Sequence, residues 1–383
     1  MSASHPISSK PQRLQSLDIL RGITVAVMIL VNNNGSGDDA YRTLMHSRWN
    51  GCTLADVVFP TFLFIVGTSL VFSFRARLSR GESRHSLMAH VVKRAAIIFL
   101  LGLLINTFPF FQMDMLRIYG VLQRIALCFL CASTLTLYTR VRTSAILFVA
   151  ILCGYWALLR LVPVPGFGVP CHEIPFLDPV RNIVAWTDRH LLPARHLYRQ
   201  SFYDPEGLLS TVSAIATTLL GVLTGHWLLS SKDLSIKARG LCLAAFACLA
   251  SACLWSPWFP FNKRLWTSSY VLLTGGIALF VLAALYFLVD VRRLRSTWAW
   301  PAIVFGSNAL TAYIFSELFA STLQSIHTMA NGQSVNLSQA VFLFLAAHIH
   351  NPAIASLGYS VLFVLVCFLP VWVLYRKRIF LKV

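Results

Sequence analysis

Residues that can do acid–base chemistry stand directly before an apolar segment in one stretch of the chain. The stretch reads HSRWNGCTLADVVFPTFLFIVG over 46–67, and its polar head contains His46, Trp49, Asn50 and Asp56. An imidazole exchanges protons near neutral pH, and a neighbouring amide or carboxylate can pair with a charge that develops in a reaction. Polar groups at membrane depth are costly and are usually retained for function or for internal pairing. These groups could equally cap and pair a helix end, and the spacing leaves both interpretations open.

Further polar side chains lie at the ends of other apolar segments, on one side of the expected bundle. Arg117 and Arg124 are seven residues apart, which predicts nearly the same face of one helix. A buried guanidinium needs an anion, and Glu206 is a candidate, although Arg124 and Glu206 could simply be a structural pair. The other polar residues in such positions are Asn32, Asn262, Lys263 and Asn308. Their convergence predicts a polar cavity open to one face of the membrane, while an amide such as that of Asn308 could instead only pair helices.

Composition and segment lengths predict an all-α, polytopic integral membrane protein. Of the 383 residues, 57% are hydrophobic and only 12% are charged, which is more apolar surface than a soluble domain can bury. A helix needs about 20 apolar residues to span a bilayer. Ten segments meet this requirement, namely 17–33, 54–74, 93–109, 117–138, 143–161, 207–229, 238–256, 267–289, 299–320 and 353–375. We expect one transmembrane domain over 1–383, with the segment 162–206 as an extracytoplasmic flap carrying a helix near 177–191.

The distribution of basic residues predicts the orientation of the chain. The formal net charge is +18, and most of the 32 Lys and Arg residues lie in short clusters between apolar segments. With the amino terminus in the cytoplasm, these clusters fall on the cytoplasmic side, as the positive-inside rule requires. Both termini are then cytoplasmic, and His46 and the flap lie on the opposite side. The same pattern accounts for the charge without a nucleic-acid partner.

The chain lacks several patterns that mark other chemistries. Most of its nine cysteines lie inside apolar segments, as small hydrophobic residues do, and none has zinc-ligand spacing with histidine, so we expect no metal. Neither a G-x-S-x-G nor an H-E-x-x-H sequence occurs. The few carboxylates in or beside the apolar segments lie near the segment ends, which weakens the case for a proton-coupled transporter.

Seven blocks of the sequence carry a resemblance to a known family. They are RLQSLDILRG at 13–22, HSRWNGCTLADVVFPTFLFIVG at 46–67, RIYGVLQRIAL at 117–127, YDPEGLLST at 203–211, FNKRLWTSSYVLLTGG at 261–276, FGSNALTAY at 305–313 and YRKRIFLKV at 375–383. In these blocks the chain resembles the heparan-α-glucosaminide N-acetyltransferase family, in particular its bacterial N-acetylglucosamine-cluster membrane branch. The resemblance covers nearly the whole chain except the flap. It implies a homodimer, and transfer of an acetyl group from cytoplasmic acetyl-CoA to the amine of glucosamine, or of a glucosamine-ended saccharide, across the bacterial inner membrane.

The resemblance also implies roles for individual residues. His46 matches the family's active-site histidine, and Asn32 matches a nearby asparagine of the same site. We expect His46 to act as general base, or as a transient acetyl carrier, for the amine that attacks the thioester. Asn32 and Asn50 are candidate donors to the thioester oxyanion, and Asp56 is a candidate for orienting His46. The remaining predicted site residues are Arg94, Arg239, Arg124 and Asn308 for acetyl-CoA, and Trp49, Glu206, Asn262 and Lys263 for the acceptor.

Alternatives to these roles stay open. Arg94 and Arg239 match basic positions of the family at the cytoplasmic face, where they could bind the phosphates of CoA or only anchor helices. The polar cavity could belong to an amino-sugar permease of the same membrane. An acetyltransferase could also use a cell-envelope polysaccharide as its acceptor.

Overall fold

Long apolar helices make up most of the structure. The computed structural model describes residues 14–330 and 332–380 of the chain. Two short strands, β1 (His327–Ala330) and β2 (Gln333–Asn336), pair antiparallel. The helices are α1 (Gln15–Asn32), α2 (Leu54–Leu78), α3 (Arg84–Thr107), α4 (Val121–Tyr138), α5 (Val141–Leu161), α6 (Ile183–Leu191), α7 (Leu208–Leu228), α8 (Leu234–Trp255), α9 (Ser268–Leu285, continued by a π-helical turn to Val291), α10 (Trp300–Ser307), α11 (Ala309–Ser325), α12 (Leu337–His348) and α13 (Pro352–Arg376).

The lengths and composition of these helices confirm the predicted class, a polytopic helical membrane protein. Within the described residues, nine helices are long and apolar enough to cross a bilayer, and a tenth crossing results if α10 and α11 form one bent span. These crossings correspond to the ten segments predicted from the sequence. The orientation of the termini stays a prediction, and residues 1–13 and 381–383 lie outside the described part of the chain.

Glycines bring α2 and α7 into very close contact. A Cβ atom on Gly67 would lie 2.0 Å from the carbonyl oxygen of Thr218, and one on Gly221 would lie 2.0 Å from that of Phe64. Only residues without a side chain allow backbones to approach this closely, as at many helix contacts in membranes. Further along both helices, Gly225 packs against Val71, so the two helices run in the same direction. Their amino-terminal ends therefore lie together at one end of the bundle.

The predicted ninth span is interrupted at Asn308. α10 and α11 meet there at a bend of 72°. α10 is fixed against α1 by another close contact, since a Cβ atom on Gly306 would lie 2.3 Å from the carbonyl oxygen of Asp18. The amide nitrogen of Asn308 donates to the carbonyl of Ile379 at 3.1 Å. The break thus contacts the chain near the start of α1 and has a polar partner beyond the end of α13.

The prediction that Arg117 shares a helix face with Arg124 is wrong, because α4 begins only at Val121. The chain before it is extended, and the side-chain amide of Asn106 in α3 donates to the carbonyls of Arg117 and Tyr119 at 2.8 and 3.0 Å. These bonds take the carbonyls out of a helical ladder. Arg117 consequently reaches toward α7 from an extended segment.

The flap is a folded cover over one end of the bundle. Its helix α6 lies within the predicted range, and Leu177 and Val184 pack with Tyr155 of α5 and with Phe259 and Leu265 beyond α8. The amide of Asn182 caps α6 by accepting from Ala185 N–H at 2.9 Å.

Candidate functional site

Asp56 and His46 are joined at the amino-terminal end of α2. Asp56 and Thr53 form a capping box, in which the backbone N–H and the hydroxyl of Thr53 each lie 3.1 Å from Oδ2 of Asp56. The backbone N–H of Ser47 donates to the same oxygen at 3.0 Å. The other oxygen, Oδ1, lies 2.9 Å from Nδ1 of His46. Asp56 is fully buried and the His46 side chain is 42% exposed, so a fixed carboxylate holds an accessible imidazole.

Lys263 reaches the same pair from the turn before α9. Its Nζ lies 3.0 Å from Nδ1 and 3.4 Å from Nε2 of His46, and 3.6 Å from Oδ1 of Asp56. Burial lowers the pKa of Lys263, although Asp56 and Glu206 both favour its charged form. An imidazole, a carboxylate and an amine therefore meet at one point.

Asn50 and Asn262 join the loop before α2 to the loop before α9. Nδ2 of Asn262 donates to Oδ1 of Asn50 at 3.1 Å. The backbone N–H of Gly51, whose φ of +122° favours glycine, donates to the carbonyl of Phe261 at 2.8 Å. Oδ1 of the buried Asn262 also accepts from Leu265 N–H at 2.9 Å. These bonds hold Lys263 beside His46.

Trp49 connects the His46 loop to the flap. Its indole N–H donates to the carbonyl of Leu177 at 2.8 Å, and its ring packs edge-to-face on Tyr203 with centroids 5.5 Å apart. Arg264 donates to the hydroxyl of Tyr203. The flap therefore contacts the loop that carries the imidazole.

Arg117 forms the strongest ion pairs near the site. Its guanidinium binds both oxygens of the buried Asp204, at 2.9 and 2.6 Å, and Oε2 of Glu206 at 2.5 Å. Burial disfavours the charged forms, but these pairs outweigh it: the pKa of Arg117 is raised and that of Glu206 is lowered. The amino-terminal end of α7 is thereby fixed next to Lys263.

Arg124 is buried against the first turn of α7. Its exposure is 1%, and its guanidinium donates to the carbonyl of Gly207 at 3.3 Å, to the hydroxyl of Thr211 at 3.2 Å and to the hydroxyl of Ser210. The guanidinium carbon lies 4.8 Å from the ring centre of Trp266, while Nη1 has no hydrogen-bond partner. Of the alternatives left open for Arg124, a direct ion pair with Glu206 is not formed; that carboxylate binds Arg117.

Asp188 is a buried carboxylate of the flap, and no sequence pattern predicts a role for it. Its Oδ2 accepts from Asp204 N–H at 3.0 Å, and its Oδ1 has no hydrogen-bond partner. Burial raises the pKa of Asp188 to about 7. A Cβ atom on Gly207 would lie 2.3 Å from Oδ1, which explains the glycine just before α7.

Four predicted site residues are not among those that contact His46, Asp56 or Lys263. Asn32, exposed at the carboxyl end of α1, hydrogen-bonds the side chain of Glu317. Asn308 is buried and bonds Ile379 as described. Arg94 and Arg239 are both exposed, but only Arg239 is near the start of its helix, α8. Arg94 lies near the middle of α3, and its guanidinium stacks over the ring of Phe129 in α4.

Two cavities open at the end of the bundle opposite His46, which is about 37 Å away along α2 at 1.5 Å per residue. One, of about 810 Å³, lies between α1, α10 and α13 and is lined by Gln15, Asp18, Trp300, Ile303, Trp372, Tyr375, Arg376, Arg378 and Phe380. The other, of about 740 Å³, lies at the ends of α2, α3, α4 and α7 and contains Arg75, Arg84 and Arg140. Both have the size of ligand sites. In the part of the chain that the structure describes, no group of three or more His, Cys, Asp and Glu side chains is arranged to hold a metal ion.

The sequence carried a signal for one of these contacts. The spacing Thr53-x-x-Asp56 before an apolar run is typical of a capping box, which directs the carboxylate back toward the preceding loop and hence toward His46. The pairing of Arg117 with Asp204 has no such signal, because it joins residues 87 positions apart through an irregular segment.

Comparison with known proteins relates the chain to one family. Residues 13–168 match the family described as heparan-alpha-glucosaminide N-acetyltransferase, catalytic. The human protein named heparan-alpha-glucosaminide N-acetyltransferase is 30% identical over 436 aligned positions, which cover 100% of this chain and 61% of the human protein. The mouse protein of the same name is 29% identical over 430 positions, which cover 98% and 61%. The chain thus spans about three fifths of the length of these relatives. The chain is similar over nearly its whole length to the two proteins of this name, and the stretch that matches the family model, residues 13–168, contains both His46 and Asp56.

Proposed function

We propose that this chain is a membrane-bound N-acetyltransferase that moves the acetyl group of acetyl-CoA to the amine of glucosamine or of a glucosamine-ended saccharide. The observation that carries the proposal is the contact between His46 and Asp56 at the amino-terminal end of α2. An ionised carboxylate only accepts hydrogen bonds, so Asp56 keeps the proton of the neutral imidazole on Nδ1. Nε2 is then left as the proton acceptor.

The chemistry follows from this tautomer. The acceptor amine attacks the thioester carbonyl, the carbon–sulfur bond breaks, and Nε2 of His46 takes a proton from the nitrogen and returns it to the leaving sulfur. Asn50 supports the oxyanion, because its carbonyl oxygen is occupied by Asn262 and its amide N–H groups can face the thioester oxygen. A route through acetyl-His46 remains the alternative, and a burst of free thiol without acceptor would reveal it.

The donor enters from the opposite end in this proposal. The cavity between α1, α10 and α13 combines two arginines, Arg376 and Arg378, with four aromatic side chains and fits a phosphate-bearing nucleotide. Its carboxylate, Asp18, is bonded to Arg21 at 2.9 Å. Arg94 and Arg239 are not part of the wall of either cavity, so we place them second as phosphate ligands.

The remaining features of the proposal rest on charge and relatedness. The basic clusters between spans support cytoplasmic termini and an outward-facing His46. The resemblance to the bacterial branch of the family supports the inner membrane as the location, with the flap in the periplasm. We propose one transmembrane domain that includes the flap, and a homodimer by analogy with the family.

The experiment that tests this function measures free thiol released from acetyl-CoA by the purified protein, with and without glucosamine. Wild type should release thiol only with glucosamine, and His46→Ala should abolish the release. The matched control is His327→Ala, which should release thiol as wild type does. His327 is an exposed residue of β1, and its Nδ1 lies 3.2 Å from the carbonyl oxygen of Ser325. Release without dependence on glucosamine or on His46 would refute the proposal.

A second candidate function has one observation in its favour. Discontinuous helices occur in transporters around the substrate site, and α10 and α11 are separated by a 72° bend at Asn308. An amino-sugar permease would carry labelled glucosamine into proteoliposomes in the absence of acetyl-CoA. Uptake without thiol release would favour the permease over the enzyme.

A further inference from the structure

Lys263 contacts both members of the pair that the proposed reaction uses. Its amine lies within 3.4 Å of each ring nitrogen of His46 and 3.6 Å from Asp56. The side chain is 16% exposed, and the loop that carries it is fixed by Asn262. The amine is therefore buried enough for its surroundings to change its proton affinity, and exposed enough to exchange a proton with a substrate or with water.

The groups that face Lys263 come from three elements. His46 and Cys52 lie in the loop before α2, Asp56 lies in α2, and Glu206 lies before α7. Burial raises the pKa of Cys52 to about 12, so its thiol is uncharged. Burial also lowers the pKa of Lys263 despite the two carboxylates. Lys263 and His46 contact each other and share one carboxylate, Asp56. Because two neighbouring positive charges disfavour each other, protonation of one of these bases opposes protonation of the other.

The carboxylates of Asp56 and Glu206 both favour a positive charge at Lys263. Glu206 is already paired with Arg117, whereas Asp56 has, among the described residues, only Lys263 and His46 as partners that can carry a positive charge. When Lys263 and His46 are both neutral, Asp56 is left without a cation, and the site favours one. The amine of glucosamine arrives as such a cation, because it is largely protonated near neutral pH.

Acetylation of an ammonium requires the removal of two protons from the same nitrogen, and His46 accounts for only one. We propose that Lys263 is a second proton acceptor, which takes the proton of the incoming ammonium before His46 takes the one released on attack. This inference rests on the proposed function. The neutral lysine amine and the ammonium exchange one proton, giving a free amine and a lysine ammonium. The carbon–nitrogen bond then forms, the carbon–sulfur bond breaks, His46 passes its proton to sulfur, and Lys263 releases its proton to water.

The test compares two acceptors and two variants in the full-length purified protein. Glucosamine must lose two protons, whereas hydroxylamine is already neutral at neutral pH and must lose one. Lys263→Arg keeps the positive charge but cannot release a proton. Lys263→Met removes both the charge and the group that can take up a proton. At neutral pH, both variants should lose kcat/KM for glucosamine by about the ratio of ammonium to free amine in solution, on the order of tenfold for an amine with a pKa of about 8, and should keep most of their activity with hydroxylamine.

The pH profile gives a second readout that a purely structural role would not change. Activity of Lys263→Arg with glucosamine should recover as rising pH deprotonates the acceptor in solution, approaching wild type at alkaline pH. An equal loss with both acceptors at every pH would overturn the proposal and make Lys263 only a positioning residue for His46. No loss with glucosamine would overturn it as well. If wild type fails to release thiol with glucosamine while His46→Ala behaves identically, the proposed function itself falls, a result distinct from any that involves Lys263 alone.

Discussion

Oδ1 of Asp56 lies 2.9 Å from Nδ1 of His46, while Oδ2 of the same carboxylate caps the helix on which Asp56 stands. One side chain thus links the imidazole of His46 to the start of α2. The capping bonds leave the carboxylate no freedom to turn away from the histidine.

Removing the charge of Asp56 should impair the reaction more than the fold. Asp56→Asn keeps the shape and part of the cap but no longer selects the imidazole tautomer, so we expect thiol release to fall on the order of 10²–10⁴-fold. Steady-state kinetics with acetyl-CoA and glucosamine measure this. Asp39→Asn, in a loop on the same side and bonded to Ser36, should behave like wild type. Unchanged turnover in Asp56→Asn would show that His46 works without the carboxylate.

Removing Arg117 should destabilise the protein. Arg117→Met leaves Asp204 and Glu206 as buried carboxylates without their cation, and breaking a buried pair in this way costs about 3–5 kcal/mol. Thermal unfolding in detergent should show a lower transition temperature, partly restored as pH falls and the carboxylates are protonated. Arg199→Met removes an exposed arginine that also stacks on Tyr198 and is the matched control. Equal unfolding temperatures for the two variants would contradict the assignment.

Asp188 should make the flap less stable as pH rises. Its pKa is about 7 in the folded chain, against about 3.9 for an unperturbed carboxyl, so the folded state holds the proton over that interval and the unfolded state does not. Stability therefore falls between about pH 4 and about pH 7, and Asp188→Asn should remove that part of the slope. Unfolding curves at several pH values measure it.

Asp178 provides the control of opposite sign. Although burial opposes it, the hydrogen bond from Arg181 lowers the pKa of Asp178, so its stabilisation is lost as pH falls. Asp178→Asn should then flatten the acid side of the curve only. The prediction for Asp188 fails if both variants change the profile in the same direction.

The contact between α2 and α7 should not accept even a methyl group. Gly221→Ala would place a carbon 2.0 Å from a backbone oxygen of Phe64, and overpacking of this kind costs about 1–3 kcal/mol. Gly154→Ala, at a position of α5 with nothing within 4 Å, should leave stability equal or slightly higher. Paired unfolding measurements decide the matter, and equal effects would mean that the helices can move apart at no cost.

The cavity between α1, α10 and α13, which we propose as the acetyl-CoA site, predicts an effect on KM for acetyl-CoA. Replacing Arg376 and Arg378 by Gln should raise KM for acetyl-CoA about tenfold or more, as expected when charge-assisted bonds to phosphate are lost, with little effect on KM for glucosamine. Arg239→Gln, exposed and outside this cavity, is the comparison. A larger effect of Arg239→Gln would return the phosphate site to the residues chosen from the sequence.

The sequence was sufficient for the helices because each span is a local property. About 20 apolar residues define a crossing whatever the rest of the chain does, so the ten segments could be located without a structure. The break at Asn308 could not, because it depends on the contact of α10 with α1 and on a carbonyl 71 residues away. The extended segment at Arg117 likewise depends on Asn106 of another helix.

The residues around His46 could be proposed as a site from the sequence, whereas the ion-pair network beside them could not. His46 and Asp56 stand in one continuous stretch, and Lys263 and Asn262 precede an apolar segment that begins on the same side. The network of Arg117, Asp204 and Asp188 arises from the folded flap, where irregular chain brings distant residues together.

The cap that Asp56 provides makes the reactive geometry a property of a helix end. Helix ends open far more often than helix centres, and such local opening occurs without unfolding of the whole chain. When the first turn of α2 frays, Asp56 leaves His46, and the site is switched off while the remaining spans stay packed. Loss of activity on mild heating would then precede the melting of the bundle and would reverse on cooling, because only one turn has to wind up again.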